Sequence, residues 1–166
     1  MRNFTCISVA ALLALPTLAM ADDYLITQNI VISDKAEIKQ QYGGSNIQAF
    51  NNAELDSSYG IIKQKSLLDR FMGVQNEGAG NLQAINRIKL DDNKYGTVIL
   101  QEVEANSIKF SQQSGSDNQQ AANYAEFESE QSYTTIIQNV SADEVSMKQD
   151  AGNDNLQSLN SIKLIR

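Results

Sequence analysis

Beyond residue 22, apolar residues recur at every second position over long stretches of the chain. Ala36 and Ile38 lead into Gln40, Ile108 and Phe110 into Gln112, and Val145 and Met147 into Gln149, while Phe71 and Gly73 precede Gln75. A second alternating run lies downstream of each, as in Asn81, Gln83, Ile85 or Asn155, Gln157, Leu159. Period two is the spacing of a strand with one enclosed face. A glycine separates the two runs, where a tight turn needs positive φ. The next asparagine then follows the apolar residue directly, as Asn86 follows Ile85. That one-residue change of phase predicts a bend or bulge before a third run, Asn86-x-Ile88-x-Leu90. A further run opens each unit at Tyr24 or Tyr133. β-branched residues, Asn, Ser and Gly are spread throughout, and no apolar stripe falls at helical spacing. Helix is excluded.

These runs belong to an internal repeat. Starting each copy at a tyrosine divides the chain into 24–58, 59–94, 95–132 and 133–166, four units of about 36 residues. All share Gln-x-x-Gly-x-x-Asn-x-Gln-x-x-Asn-x-(Ala/Ile)-x-(Leu/Phe). The first copy has Gln40, Gly43, Asn46, Gln48 and Asn51, followed by Ala53 and Leu55. The second has Gln75, Gly78, Asn81, Gln83 and Asn86, with Ile88 and Leu90. Gln112, Gly115, Asn118, Gln120 and Asn123 precede Ala125 and Phe127, and Gln149, Gly152, Asn155, Gln157 and Asn160 precede Ile162 and Leu164. The expected fold is all-β, a β-solenoid or cross-β stack of four such rungs, each of three to four short strands. One rung cannot enclose its own inward face, so rungs stack about 4.8 Å apart with like over like. Inward Gln and Asn then become ladders of amides that donate to and accept from their neighbours. Lys89 and Glu126 alternate outward.

Ordinary solenoids end in atypical capping repeats, whereas the first and fourth copies here both keep the full motif. An uncapped stack is a template for further chains. The expectation is therefore a polymerising subunit whose main partner is itself.

The first 21 residues stand apart. Arg2, the apolar stretch from Cys6 to Leu18 and the small-x-small end Ala19-Met20-Ala21 form the pattern of a cleaved export signal. The stretch is too short to span a bilayer, and no second one approaches that length. Residues 22–166 are read as a single β-repeat domain. The sole cysteine, Cys6, and the sole proline, Pro16, both lie within 1–21. The exported part thus forms no internal disulfide and holds no residue barred from donating to a β-ladder. It holds 16 Gln and 15 Asn, an enrichment shared by disordered chains and stacked β-structure; the period-two spacing selects the second. Net charge is −7, or −8 once Arg2 is removed, which argues against nucleic acid as a partner.

At the repeat motif the chain resembles the secreted functional amyloids of bacterial biofilms. Curlin repeats carry Gln-x-Gly-x-x-Asn-x-Ala in shorter units; the motif here has one more residue between Gln and Gly, and Gln in place of Ala. Fap-type fimbrial subunits are similar in repeat length and in Gly-x-x-Asn-x-Gln followed by Asn. Their Cys-x-x-Cys pair and long linkers have no counterpart in this chain. The resemblance covers 24–166. It implies secretion from a Gram-negative-type bacterium through outer-membrane export machinery, to the cell surface or beyond. It also implies a companion nucleator or major subunit, and roles in adhesion, aggregation and biofilm matrix.

Rival chemistry is thin. With no histidine, and no cysteine outside 1–21, a nucleophile–base set has no natural members, so no catalytic residue, cofactor or metal is assigned. Asp150–Asn155 and Ser114–Asn118 are oxygen-rich but lack EF-hand spacing, and they read as turns. Asp91 with Asp92, and Glu128 with Glu130, read as solvated charge in the links. Tyr24, Tyr59, Tyr95 and Tyr133 read as a structural ladder. The alternative function is a β-solenoid that does not polymerise, an adhesin or matrix-binding module.

Overall fold

The computed structural model describes residues 24–58, 60–93, 97–127 and 134–165. The segment read as an export signal lies outside them, as do Tyr59, Tyr95, Tyr133, Glu128 and Glu130. Eight strands alternate between two parallel sheets. Strands β1 (Tyr24–Gln40), β3 (Gly60–Gln75), β5 (Val98–Gln112) and β7 (Thr135–Gln149) form the first, in that order. Strands β2 (Ile47–Ser58), β4 (Leu82–Asn93), β6 (Gln119–Phe127) and β8 (Leu156–Leu164) form the second. The fold is the stacked all-β solenoid that the repeat implies. Each rung is a β-arch: one strand in each sheet, joined by a turn at residues 41–46, 76–81, 113–118 or 150–155.

Each rung has two long strands where the change of phase suggested three to four short ones. The break at Ile85–Asn86 occurs inside β4, and both side chains point inward. Ile85 packs with Phe71 and Phe110, while Asn86 accepts from Ser66 Oγ across the core at 2.8 Å. β3 has the same device: Leu68 and Phe71, three residues apart, are both buried. These are bulges rather than strand ends, because every rung bends at the same place. The ladder resumes in register on either side, with Ala49 opposite Ala84 and then Asn51 opposite Asn86. The first rung alone has an extra residue at its bulge, where Ser33 and Asp34 stand against Asp69. Arg70 closes over that insertion with a 2.7 Å ion pair to Asp34.

The interior is layered along the strands. Nearest the arch, Ile38, Leu68, Phe71, Ile85, Ile108 and Phe110 form one apolar cluster. Phe71 and Phe110 meet edge to face at 5.5 Å, and Gly73 leaves the room that Phe110 fills. Farther out, Ile62, Ile88, Leu90, Ile99 and Phe127 form a second cluster. Amide side chains lie between and beside them.

Candidate assembly interface

The arch is built first. Gly43, Gly78, Gly115 and Gly152 all have φ between 105° and 116°, in the region that glycine alone enters freely. Each opens a turn whose last residue is the motif asparagine. That asparagine clips its rung to the one before it through both ends of its amide. Asn118 Oδ1 accepts from the Asn81 backbone N–H at 3.1 Å, and Asn118 Nδ2 donates to the Gly78 carbonyl at 3.1 Å. Asn81 does the same toward Asn46 and Gly43, and Asn155 toward Asn118 and Gly115.

Two motif positions form continuous side-chain ladders. Gln157 donates to Gln120 at 2.7 Å, Gln120 to Gln83 at 2.8 Å and Gln83 to Gln48 at 3.1 Å. In the other column Asn51 donates to Asn86, Asn86 to Asn123 and Asn123 to Asn160, each at 2.9 Å. The two ladders therefore run in opposite senses. The asparagines also tie the sheets together, since Asn86 Nδ2 reaches the Glu102 carbonyl at 2.9 Å and Asn123 Nδ2 the Asn139 carbonyl at 2.9 Å.

The remaining motif column behaves differently. Gln40, Gln75, Gln112 and Gln149 stand opposite one another in register, but their amides do not chain together. Gln75 Nε2 donates sideways to Asn118 Oδ1 at 3.3 Å, and the amides of Gln40 and Gln112 are buried with no partner among the described residues. A column of like residues fixes spacing; the side chain's other neighbours choose its bond.

One ladder was not read from the sequence. Gln138 donates to Gln101 at 2.8 Å, Gln101 to Gln64 at 2.9 Å and Gln64 to Gln28 at 2.7 Å. Each also reaches a carbonyl of the opposite sheet, as Gln64 reaches Arg87 at 2.8 Å. The signal lies in the distance to the motif: Gln64, Gln101 and Gln138 all stand eleven residues before its first glutamine. Counting from the tyrosines hides this, because Tyr24 is opposite Gly60 rather than Tyr59. Gln101→Ala leaves the buried Gln64 oxygen without its donor, removes the bond to the Tyr124 carbonyl, and takes one of two bonds from the half-buried Gln138 amide. It is expected to lower stability by about 2–3 kcal/mol, against less than about 0.5 kcal/mol for Lys109→Ala on the exposed side. Guanidinium midpoints of the two variants test this, and equal shifts would remove the ladder's structural role.

No family model, no curated protein and no solved structure matches this chain. The interface must be read from geometry.

Among the described residues, β1 and β2 pair on one side only, and so do β7 and β8. The stack thus ends in two open pairs of edges. They are unequal. Ile38 and Ala53 at the first rung are 8% and 7% exposed, whereas their counterparts Met147 and Ile162 at the fourth are 38% and 57% exposed. In these two columns the first-rung side chain is covered by the second rung and the fourth-rung side chain is open. Burial pushes the Glu37 carboxyl up, but hydrogen bonds from Lys39 and Lys35 outweigh it and hold it below the ordinary carboxylate value. Burial raises the Tyr124 phenol well above its usual range, and the Glu126 carboxylate that accepts from its hydroxyl at 3.1 Å adds to the shift. Among the described residues no group of three or more Asp, Glu, His or Cys gathers where it could hold a metal, and no helix is long and apolar enough to cross a membrane.

Proposed function

We propose that this chain is a secreted structural subunit, major or nucleating, of an extracellular amyloid-type fibre serving adhesion, aggregation and biofilm matrix. Copies of itself are the principal partner. Outer-membrane export machinery and a companion subunit complete the system, and the fibre lies at or beyond the cell surface of a Gram-negative-type bacterium.

One observation carries the reading: the two open ends of the stack are complements of each other. The glutamine ladders donate toward the first rung, so Gln138 and Gln157 at the fourth end hold unused acceptor oxygens in the stacking direction. Gln28 and Gln48 at the first end supply the matching amide nitrogens. The asparagine ladder runs the other way, so Asn160 offers a donor where Asn51 of a next copy offers an acceptor. Apolar columns continue as well, Leu164 toward Leu55 and Met147 toward Ile38. An interface that joins unlike ends of identical subunits does not close on itself, and it generates open fibres. Exposed, pairable edges of this kind are what monomeric β-proteins blunt with charge, proline or a covering segment.

Purified 22–166, incubated at micromolar concentration, is expected to gain thioflavin fluorescence after a lag and to show unbranched fibres by negative stain. Addition of preformed fibres removes the lag. A chain that stays monodisperse for days at high concentration would overturn the reading and favour a partner-binding solenoid instead.

A further inference from the structure

The four rungs are of two kinds, and they alternate. At adjacent positions in the second sheet the rungs read Ala53-Glu54, Ile88-Lys89, Ala125-Glu126 and Ile162-Lys163. Strand register places these directly over one another: Ala53 with Ile88, Ile88 with Ala125, Ala125 with Ile162, and Glu54 with Lys89, Lys89 with Glu126, Glu126 with Lys163. One column alternates small and large inside the core. Its neighbour alternates negative and positive outside. In these two columns odd rungs are small and acidic, even rungs large and basic.

The charge alternation is the one that selects, because the core accepts like on like: Ala53, Ile88 and Ala125 pack in one buried cluster beside the column Ile26, Ile62, Ile99 and Ile136, in which isoleucines stack directly on one another. Lys163 reaches Glu126 at 3.2 Å, and the Glu126 side chain, with a rung on either side, is only 13% exposed. Glu54 and Lys163, at the two ends, are 52% and 45% exposed; Glu54 already holds Arg87 at 3.1 Å and Lys163 holds Glu126, so on joining each gains a second partner.

Among the described residues the stack opens on one kind of rung and closes on the other. We infer that copies join in one register and one polarity, the fourth rung of one chain on the first rung of the next, with Ile162 seated over Ala53 and Lys163 beside Glu54 of that next copy. This inference rests on the fibre reading and adds to it the partner edge, its register and the residues that select it. Pairing two first ends, or two fourth ends, turns the strands antiparallel, so the like-over-like columns no longer continue and two copies of Glu54, or two of Lys163, come to one joint with no opposite charge from that column. Other charges meet at the same joint. Glu144 falls over Lys35, which is favourable, while Lys148 falls over Lys39 and Asp143 near Asp34, which is not. Lys148 and Lys39 already have partners on their own strand or arch, in Asp150 at 3.1 Å and Glu37 at 3.0 Å, and Asp34 has Arg70 at 2.7 Å. Asp34 and Lys148 are 82% and 69% exposed, so solvent and salt screen them most. The Glu54 column becomes enclosed on joining and decides.

Two experiments on 22–166 test the joint. In the first, Glu54→Cys and Lys163→Cys chains are mixed, assembled and oxidised; the sequence beyond residue 21 has no other cysteine. In-register parallel neighbours stand at a Cα separation that a disulfide can span. The mixture is expected to give disulfide heterodimers at least about tenfold above the homodimers of either chain alone. Homodimers from Glu54→Cys alone, or no heterodimer in fibres that do form, overturn the register. In the second, the whole column is inverted, as Glu54→Lys, Lys89→Glu, Glu126→Lys and Lys163→Glu together, which keeps alternation within the chain. The inverted chain loses the Arg87–Glu54 pair and the Tyr124–Glu126 bond, so its own seeds are the reference: inverted monomers are expected to elongate wild-type seeds at least about tenfold more slowly than inverted seeds, because like charges then meet at both ends. Equal elongation of both seeds in low salt overturns the charge reading and leaves the fibre standing. Failure of the wild-type chain to form fibres at all removes the fibre reading and this inference with it.

Discussion

Gly115→Ala is expected to lower stability by at least about 3 kcal/mol and to abolish fibre growth under conditions where the wild-type chain assembles within hours. Two independent costs meet at this residue. Its φ of 105° lies where a side chain strains the backbone. A Cβ built there would run into the Gly78 carbonyl oxygen and sit 2.7 Å from Asn118 Nδ2. That carbonyl already accepts the Ser116 N–H at 3.2 Å and Asn118 Nδ2 at 3.1 Å, so the methyl group displaces two of the bonds that hold the third arch on the second. Relaxing the turn to admit it moves the arch away and opens both. Guanidinium unfolding of dilute chain and thioflavin growth at higher concentration check the two parts. A midpoint within error of wild type would show that the arch stacks by some other means.

Asn123 gives the second large effect, and its sign depends on pH. The side chain accepts from Asn86 and donates to Asn160 and to the Asn139 carbonyl, each at 2.9 Å, at a position that is fully buried. Asn123→Ala leaves those partners unpaired and is expected to cost about 3 kcal/mol. Asn123→Asp is expected to be worse at neutral pH. The introduced carboxylate can still accept from Asn86, but it has no hydrogen to give, and it presents negative oxygen to a carbonyl at a position closed to solvent. Burial and those two oxygens raise its folded-state pKa above the unfolded value of about 3.9. The penalty is therefore complete above the raised folded value. It diminishes as pH falls through that value, and it is gone below the unfolded one, where the protonated acid can donate again. A plot of the stability difference between the two variants against pH should converge or cross on acidification. A flat line would mean that Asn123 is solvated and the ladder does not bear on stability.

Much of this architecture was legible along the chain. Period-two runs gave strands, the phase change at Ile85–Asn86 gave a bulge, and Gly43, Gly78, Gly115 and Gly152 marked the arches. These are local facts, since alternation is a property of the extended backbone and positive φ a property of one residue. The reading erred where it treated the change of phase as a strand end. A bulge breaks a hairpin's pairing, but in a stack every rung carries the same bulge, and the parallel ladder runs on through it.

The bonds of the amides were decided elsewhere. Gln83 and Asn86 chain to their copies, whereas Gln75, equally repeated, bonds sideways to Asn118. Gln64, absent from the motif, joins a complete ladder because the Arg87 carbonyl faces it from the other sheet. The sequence by itself determined the repeat, the strand faces, the turns and the alternation of Ala-Glu with Ile-Lys, since each is written in spacing alone. Only the tertiary structure decided which amides pair and that the two ends differ. An inward side chain's partner comes from a strand some twenty residues away, and the sense of a ladder emerges only when rungs lie on one another.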